Sequence, residues 1–122
     1  MNDLSMYEEL MDRYYNSRFK GLPENCVKAS SMNVSCGDFV ELGIVLDNGK
    51  ITSIGFEGNG CIISQACASV LCELLQGKTL QEVKHLTSEE FLKAMPVEIP
   101  MHRLKCALTS FKALQALLKK VG

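Results

Sequence analysis

The amino-acid sequence predicts an α+β fold in which several helices pack against a small three-stranded antiparallel sheet. Apolar residues recur at helical spacing near both ends of the chain, whereas apolar and polar residues alternate in its middle. This order of helix, three strands and further helices is typical of α+β architecture. With 122 residues and no repeat, linker or low-complexity segment, the chain is predicted to form one domain, residues 1 to 122.

The first half of the chain contains one predicted helix and three predicted strands. Residues 4 to 17 place apolar side chains at helical spacing, and residues 27 to 35 follow a loop as a weak strand interrupted by Ser and Asn. Residues 40 to 46 and 51 to 57 alternate in polarity. The Asn48-Gly49 pair between them indicates a hairpin, because a type I′ turn requires positive φ at both of its central residues.

The second half of the chain is predicted to be helical. Apolar residues at helical spacing run from residue 62 to 76, and Gly77 stands where a C-terminal cap is expected. Thr79 and Ser88 are candidate N-caps of two short helices. The last helix is predicted to begin around residues 101 to 104 and to continue to the end of the chain. Its expected buried stripe consists of Leu104, Leu108, Phe111, Leu114, Leu118 and Val121.

The charge and hydropathy of the chain argue against several classes of function. Thirteen Lys or Arg and fourteen Asp or Glu residues leave a formal net charge of −1, so no broad positive field is available to bind nucleic acid. No apolar run approaches the roughly 20 residues that a membrane-spanning helix needs, so no membrane association is expected. The acidic N-terminal residues show no secretory signal pattern, and we therefore expect a reducing, cytoplasmic compartment.

Six cysteines are the unusual feature of the composition. A disulfide framework is disfavoured, because the expected compartment is reducing and the chain is long enough to build its own apolar core. Cys67 lies on the apolar face of its predicted helix, where a free Cys packs as a small hydrophobe. Cys72 is expected to be peripheral or covered by a partner, and Cys26 to be structural or incidental.

The other three cysteines lie at element boundaries, beside features that favour a thiolate. Cys36 precedes Gly37 and Asp38 in a tight connection between strands, and Gly37 allows both neighbouring side chains to turn toward one point. Cys61 and Cys106 lie in the first turns of predicted helices, where exposed N–H groups and the helix dipole lower the pKa of a thiol.

These three thiols together predict a metal-binding site. Three thiolates and one oxygen or nitrogen ligand form a tetrahedral site suited to Zn²⁺ or to the iron of an iron-sulfur cluster. Asp38 is the obvious fourth ligand, and His102, four residues before Cys106, is the competitor. The chain has no Cys-x-x-Cys knuckle, so a zinc ribbon is not supported. A nucleophilic Cys/His hydrolase would leave two of the three thiols unexplained.

Five segments, in order along nearly the whole chain, resemble those of the U-type iron-sulfur cluster assembly scaffolds. This is the family of IscU, SufU and the N-terminal domain of NifU. The Cys-Gly-Asp, Gly-x-Gly-Cys and Arg-x-x-Cys patterns are together specific for it. The matching segments are residues 16 to 21, Cys36-Gly37-Asp38, residues 58 to 69, Gly77-Lys78 and residues 103 to 107.

The resemblance implies a two-layer fold like that of SufE and IscU, and a protein that accepts sulfane sulfur from a pyridoxal-phosphate cysteine desulfurase. By position, Cys36, Asp38, Cys61 and Cys106 match the metal or cluster ligands of the family, and Cys36 is the candidate persulfide acceptor. In the scaffold members the sulfur is combined with iron into a [2Fe-2S] cluster, which is then transferred to apo iron-sulfur proteins. Zinc can occupy the same four ligands.

Departures from the family pattern leave two branches open. Lys105 stands where IscU has a His, and the Arg103-x-x-Cys106 pattern looks like SufU, so Arg103 and Lys105 are candidate auxiliary residues. However, the stretch from Cys61 to Cys106 is too short for the insertion that SufU carries there. The favoured function is a scaffold and sulfur carrier rather than an enzyme, with a monomer or a weak homo-oligomer expected.

Two alternative functions remain. One is a zinc-dependent sulfurtransferase that relays persulfide without building a cluster. The other is a small zinc-stabilised binding module, in which no thiol carries sulfur and removal of the metal unfolds the chain.

Overall fold

The computed structural model describes residues 3 to 121, with side chains from Tyr7 onward, and its α+β architecture confirms the predicted fold class. The sheet is antiparallel with the strand order β1-β2-β3, formed by β1 (Val27–Asn33), β2 (Asp38–Asp47) and β3 (Lys50–Asn59). The helices are α1 (Asp3–Tyr15), α2 (Ile62–Leu75), α3 (Leu80–Lys84), α4 (Ser88–Lys93), α5 (Leu104–Ala107) and α6 (Thr109–Val121), with a 3₁₀ turn (Met101–Arg103) before α5. None of the described helices is long and apolar enough to cross a membrane.

Two hairpins build the sheet. The predicted turn between β2 and β3 is confirmed, since Asn48 and Gly49 have φ values of 55° and 77°. β1 ends at Asn33, two residues earlier than predicted, because the next four residues connect it to β2. In that connection the N–H groups of Cys36 and Gly37 donate to the carbonyl oxygen of Asn33 at 3.2 and 2.8 Å, and Gly37 has a φ of 73°.

Helix α2 lies at the centre of the fold and is surrounded by other elements. It contacts α1, strands β2 and β3, α5 and α6, and all residues from 64 to 72 are buried. Cys67 packs in the core, as predicted. The expectation that Cys72 is peripheral is wrong, because the surrounding elements leave its side chain without exposure. Gly77 follows the helix with a φ of 81°, which agrees with the predicted C-terminal cap.

The two short helices begin with capping boxes. Thr79 caps α3 as predicted, and its hydroxyl accepts the N–H of Glu82 at 3.1 Å. The cap of α4 is Thr87 and not Ser88, since the Thr87 hydroxyl accepts the N–H of Glu90 at 3.1 Å. Ser88 is therefore the first residue of that helix.

The last predicted helix is divided into two. α5 ends before Leu108, and the hydroxyl of Thr109, the first residue of α6, donates to the carbonyl oxygen of Lys105 at 3.0 Å. The helical hydrogen bonds continue across this point, since the N–H of Leu108 donates to the carbonyl oxygen of Leu104 at 2.9 Å. The buried stripe nevertheless differs from the predicted one. Phe111 and Leu114 are buried as expected, together with Ala107, Ala113 and Leu117, whereas Leu104, Leu108, Leu118 and Val121 are half-buried.

Candidate metal centre

The fold brings Cys36, Asp38 and Cys106 together. The two sulfur atoms and one carboxylate oxygen lie within 4.8 Å of one another. Cys36 is on the β1–β2 connection, Asp38 is the first residue of β2, and Cys106 is on α5. Cys36 is exposed, whereas Asp38 and Cys106 are buried. Solvent thus reaches the thiol of Cys36 but not the carboxylate of Asp38 or the thiol of Cys106.

Asp38 is held by donors on both carboxylate oxygens. The backbone N–H of Cys61 donates to Oδ1 at 3.0 Å, and Asn33 Nδ2 donates to Oδ2 at 3.3 Å. Burial by itself would raise the pKa of Asp38, but the hydrogen bonds from Cys61, Cys106, Asn33 and Ser64 together lower that pKa below its ordinary value. The carboxylate is therefore ionised at neutral pH, as a metal ligand must be.

Gly60 permits the close approach of the α2 N-terminus to Asp38. A Cβ atom at Gly60 would lie 2.5 Å from Asp38 Oδ1 and 2.9 Å from Asp38 Cα. Gly60 also has a φ of 141°, which L-residues with side chains rarely adopt. The close contact with the Asp38 carboxylate thus explains why the second glycine of the Gly-x-Gly-Cys pattern has no side chain.

Cys106 differs from the activated thiol that the sequence suggested. Burial raises the pKa of Cys106 to about 12, and hydrogen bonds with Asp38 and Cys36 add to the rise, while Arg103 opposes it. The expectation of a lowered pKa is wrong because α5 has only four residues and its dipole is too small to offset burial. A metal ion bound beside Cys106 would be needed to deprotonate this thiol at neutral pH.

Cys61 lies beside this cluster without joining it. It is the N-cap residue of α2, and its sulfur accepts the backbone N–H of Ser64 at 3.4 Å. Its thiol is not among the three ligand atoms grouped within 4.8 Å, although its own N–H donates to Asp38. To serve as a fourth ligand, the Cys61 sulfur has to move closer to the other three ligand atoms, and as a thiolate it can keep the N–H of Ser64 as a donor.

Arg103 lies beside Cys106, whereas the other auxiliary candidate, Lys105, and the alternative ligand, His102, are exposed. Arg103 Nη1 lies 4.0 Å from Cys106 Sγ, and the sulfur atoms of Cys106, Cys61 and Cys36 raise the pKa of the guanidinium. Lys105 is exposed on α5 and has no hydrogen bond to the cluster among the described side chains. His102 is exposed on the 3₁₀ turn and is likewise not grouped with the three ligand atoms.

Asn33 is a site residue that sequence reasoning missed. Its Nδ2 donates to Asp38 Oδ2 and lies 4.0 Å from Cys106 Sγ. Asn33 and Asp38 are also register partners, the last pair before the connection that carries Cys36. The available signal was an Asn at the end of a strand, five residues before the Asp of the Cys-Gly-Asp motif, since Asn is uncommon in strands.

The donor set suits zinc or iron. Zinc binds thiolate sulfur at about 2.3 Å and carboxylate oxygen at about 2.0 to 2.2 Å, so two ligand atoms of one tetrahedral ion lie about 3.5 to 3.8 Å apart. Cys36, Asp38 and Cys106, within 4.8 Å of one another, would close onto an ion by shifts of about 1 Å. Thiolates select zinc and iron-sulfur clusters over hard cations.

Comparison with known proteins agrees with the resemblance seen in the sequence motifs. The sequence model of the family described as NifU-like N-terminal domain matches residues 6 to 121. The chain is 31% identical to the iron-sulfur cluster assembly scaffold protein IscU of Thermotoga maritima, over 96% of this chain and 95% of that protein. It is 29% identical to the zinc-dependent sulfurtransferase SufU of Bacillus subtilis, over 87% and 84% of the two chains.

Solved structures show the same fold. The crystal structure of FiSufU from Fervidobacterium islandicum AW-1, a protein assigned as an iron-sulfur cluster assembly scaffold for the SUF system, superposes with a TM-score of 0.77 at 32% identity. That superposition covers 96% of this chain and 99% of FiSufU. The Thermotoga alignment extends over 140 positions, more than the 122 residues of this chain, so that relative carries residues with no counterpart here. Because the family match spans almost all of the described residues, this chain belongs to the NifU-like N-terminal domain family.

Proposed function

We propose that this protein is an iron-sulfur cluster assembly scaffold that accepts sulfur on Cys36 from a pyridoxal-phosphate cysteine desulfurase and passes a [2Fe-2S] cluster to apo-proteins. The observation that carries the proposal is the cluster of an exposed Cys36 with a buried Asp38 and a buried Cys106, within 4.8 Å of one another. The exposed thiol of Cys36 can meet a donor protein, while the buried Asp38 and Cys106 can hold the metal or the cluster. The relatives named as scaffold and as sulfurtransferase support the same chemistry.

Sulfur transfer to Cys36 is a thiol–persulfide exchange. The thiolate of Cys36 attacks the outer sulfur of the donor persulfide, a new S–S bond forms at Cys36, and the S–S bond of the donor breaks to release its thiolate. Cys36 is suited to this attack because it is exposed on a short connection, next to Gly37 with its φ of 73°. Arg103, whose guanidinium lies near Cys106, places a positive charge beside the cluster that stabilises thiolates.

The ligands that we assign to a bound metal are Cys36, Asp38 and Cys106, with Cys61 as the fourth once its sulfur moves toward them. When bound, zinc would supply positive charge that holds thiols as thiolates at neutral pH. The chain's own contribution is to fix Asp38 as an ionised ligand through its hydrogen bonds and to keep Cys106 away from water. Lys105, exposed beside Cys106, is proposed only as a source of nearby positive charge.

Replacement of Cys36 tests the sulfur-accepting step. We expect Cys36→Ser to abolish persulfide formation on the chain and its stimulation of the desulfurase, because the serine hydroxyl does not accept sulfane sulfur. Cys26→Ser is the matched control, since Cys26 is half-buried and lies outside the cluster. Labelling of persulfides on the two variants, after incubation with desulfurase and cysteine, is the measurement. Equal labelling of Cys36→Ser and the wild type contradicts the proposal.

A zinc-dependent sulfurtransferase is the second candidate function. It is favoured by the contact of Arg103 with Cys106, since the Arg-x-x-Cys pattern is the one that resembles SufU. The two candidates differ in what the purified protein contains. Protein purified without oxygen should carry iron and acid-labile sulfide if it is a scaffold, and one tightly bound zinc without sulfide if it only relays persulfide.

A further inference from the structure

The side chain of Asn33 connects two of the proposed ligands that come from distant parts of the chain. Its Nδ2 lies 3.3 Å from Asp38 Oδ2 and 4.0 Å from Cys106 Sγ, although Asn33 and Cys106 are 73 residues apart in sequence. An amide nitrogen carries two N–H groups, and a carboxylate oxygen and a sulfur both accept hydrogen bonds. One amide group can therefore contact both ligands at once.

The backbone of Asn33 makes hydrogen bonds that do not require this side chain. Its carbonyl oxygen accepts the N–H groups of Cys36 and Gly37, which closes the connection between β1 and β2. Any residue could make these two bonds. Asn is also a poor strand former compared with β-branched or aromatic residues. The amide side chain at this position therefore has an explanation in its contacts with Asp38 and Cys106.

Asn33 donates to one defined oxygen of Asp38, the one that does not accept the N–H of Cys61. Oδ1 accepts the N–H of Cys61 and lies next to Gly60, whereas Oδ2 accepts the amide of Asn33. Asp38 and Cys106 are both fully buried, whereas Cys36 is exposed. The cluster thus consists of a fixed pair, which Asn33 connects, and a third ligand on an accessible connection.

We propose that Asn33 is a positioning residue that holds Asp38 and Cys106 in place for metal binding, so that Cys36 can leave the metal to accept sulfur without loss of the other two ligands. The need for Cys36 to leave rests on the function proposed above, while the positioning of Asp38 and Cys106 does not. Asn33 acts through these two ligands and does not bind the metal, because the nitrogen that faces them carries two hydrogens and its lone pair is delocalised into the carbonyl group.

Zinc affinity tests the positioning role. We expect Asn33→Ala and Asn33→Leu to weaken zinc binding about 10- to 100-fold, the usual effect of removing a hydrogen-bond partner of metal ligands. Affinity is measured by competition for Zn²⁺ with a chromophoric chelator. Ser31→Ala is the matched control, because Ser31 lies two residues earlier on β1, is half-buried on the same face, and should bind zinc as the wild type does. Thermal unfolding of the metal-free chains shows whether each variant folds.

Double-mutant cycles distinguish positioning from a general structural role. Asn33→Ala should weaken zinc binding by the same factor in a Cys36→Ser background as in the wild type, because it does not act through Cys36. In an Asp38→Ala background the effect should shrink, because one of its two targets is missing. Zinc binding by Asn33→Ala within twofold of the wild type overturns the proposal, as does an undiminished effect in the Asp38→Ala background.

The outcome is separable from that of the proposed function. If Cys36 takes up no sulfur while zinc affinity still depends on Asn33 as described, the proposed function fails and the positioning role stands. If Cys36 takes up sulfur normally and replacement of Asn33 leaves the zinc affinity unchanged, the proposed function stands and the positioning role fails.

Discussion

Asp38 is the residue on which the geometry of the candidate site depends most. It is fully buried and would tend to neutralise, yet the N–H of Cys61 and the amide of Asn33 hold it as a carboxylate. The sequence identified Asp38 as a candidate ligand from its place in the Cys-Gly-Asp motif. The sequence did not reveal its donors, because Cys61 lies 23 residues away and the contact forms only when β2 meets the start of α2.

A methyl group at Gly60 is expected to disturb this carboxylate. Gly60→Ala should destabilise the chain by about 1 to 3 kcal/mol through backbone strain, and should also weaken zinc binding, because the new Cβ would lie 2.5 Å from Asp38 Oδ1. Gly49→Ala, with a φ of 77° and no heavy atom within 4 Å of the added Cβ, is the control that carries strain alone. Urea unfolding and zinc competition measure the two effects. Wild-type zinc affinity in Gly60→Ala would argue against the contact.

Burial of helix α2 decides which of its cysteines are core residues. The apolar periodicity predicted a helix with one buried face, but α1, β2, β3, α5 and α6 all contact it, and every residue from 64 to 72 is buried. A further signal was present in the sequence, since no charged residue occurs between residues 62 and 72, and helices without a polar face are buried all round. Cys67 and Cys72 are therefore core residues, whereas Cys61 at the N-cap lies beside the site and donates its N–H to Asp38.

The buried thiol of Cys67 should make the stability of the metal-free chain depend on alkaline pH. Burial, with smaller contributions from Cys61 and Cys106, raises the pKa of Cys67 from 9.0 to about 12. The folded chain thus keeps a proton that the unfolded chain releases above pH 9, and the free energy of unfolding should fall between pH 9 and 12 by up to about 1.4 kcal/mol per pH unit for this thiol. Cys67→Ala removes this contribution.

Urea unfolding from pH 7 to 11 measures this dependence. Wild type and Cys67→Ala should have parallel, flat profiles below pH 8, and the wild type should lose stability more steeply above pH 9. Equal slopes for the two proteins above pH 9 would show that Cys67 does not keep its proton in the folded chain.

For the whole molecule, the core does not depend on the candidate metal centre. Large buried side chains come from the sheet and from several helices, among them Leu42, Phe56, Leu71, Phe91 and Leu114. They form one hydrophobic cluster that includes residues of β1, β2, β3, α2, α4 and α6. A chain that buries an apolar core of this kind does not need a metal ion to fold, in contrast to a zinc finger.

Removal of metal by a chelator should therefore leave the protein folded. We expect native circular dichroism and cooperative thermal unfolding in the presence of EDTA, with stability lower only by the binding contribution, about 2.7 kcal/mol when free zinc is 100 times its dissociation constant. The zinc-stabilised binding module makes the opposite prediction, that chelation unfolds the chain. Loss of the cooperative transition in EDTA would favour that alternative.

Local patterns in the sequence were sufficient to predict the order of the elements, the Asn48-Gly49 hairpin, the Thr79 cap of α3 and the family, because polarity periods, turn residues and motifs are local properties of the chain. Tertiary packing, in contrast, buries Cys72, divides the last helix at Leu108 and brings Asn33 into contact with Cys106. It also decided that the pKa of Cys106 rises and does not fall. Burial and hydrogen bonds to a carboxylate depend on residues far apart in sequence, and a local sequence pattern therefore does not reveal them.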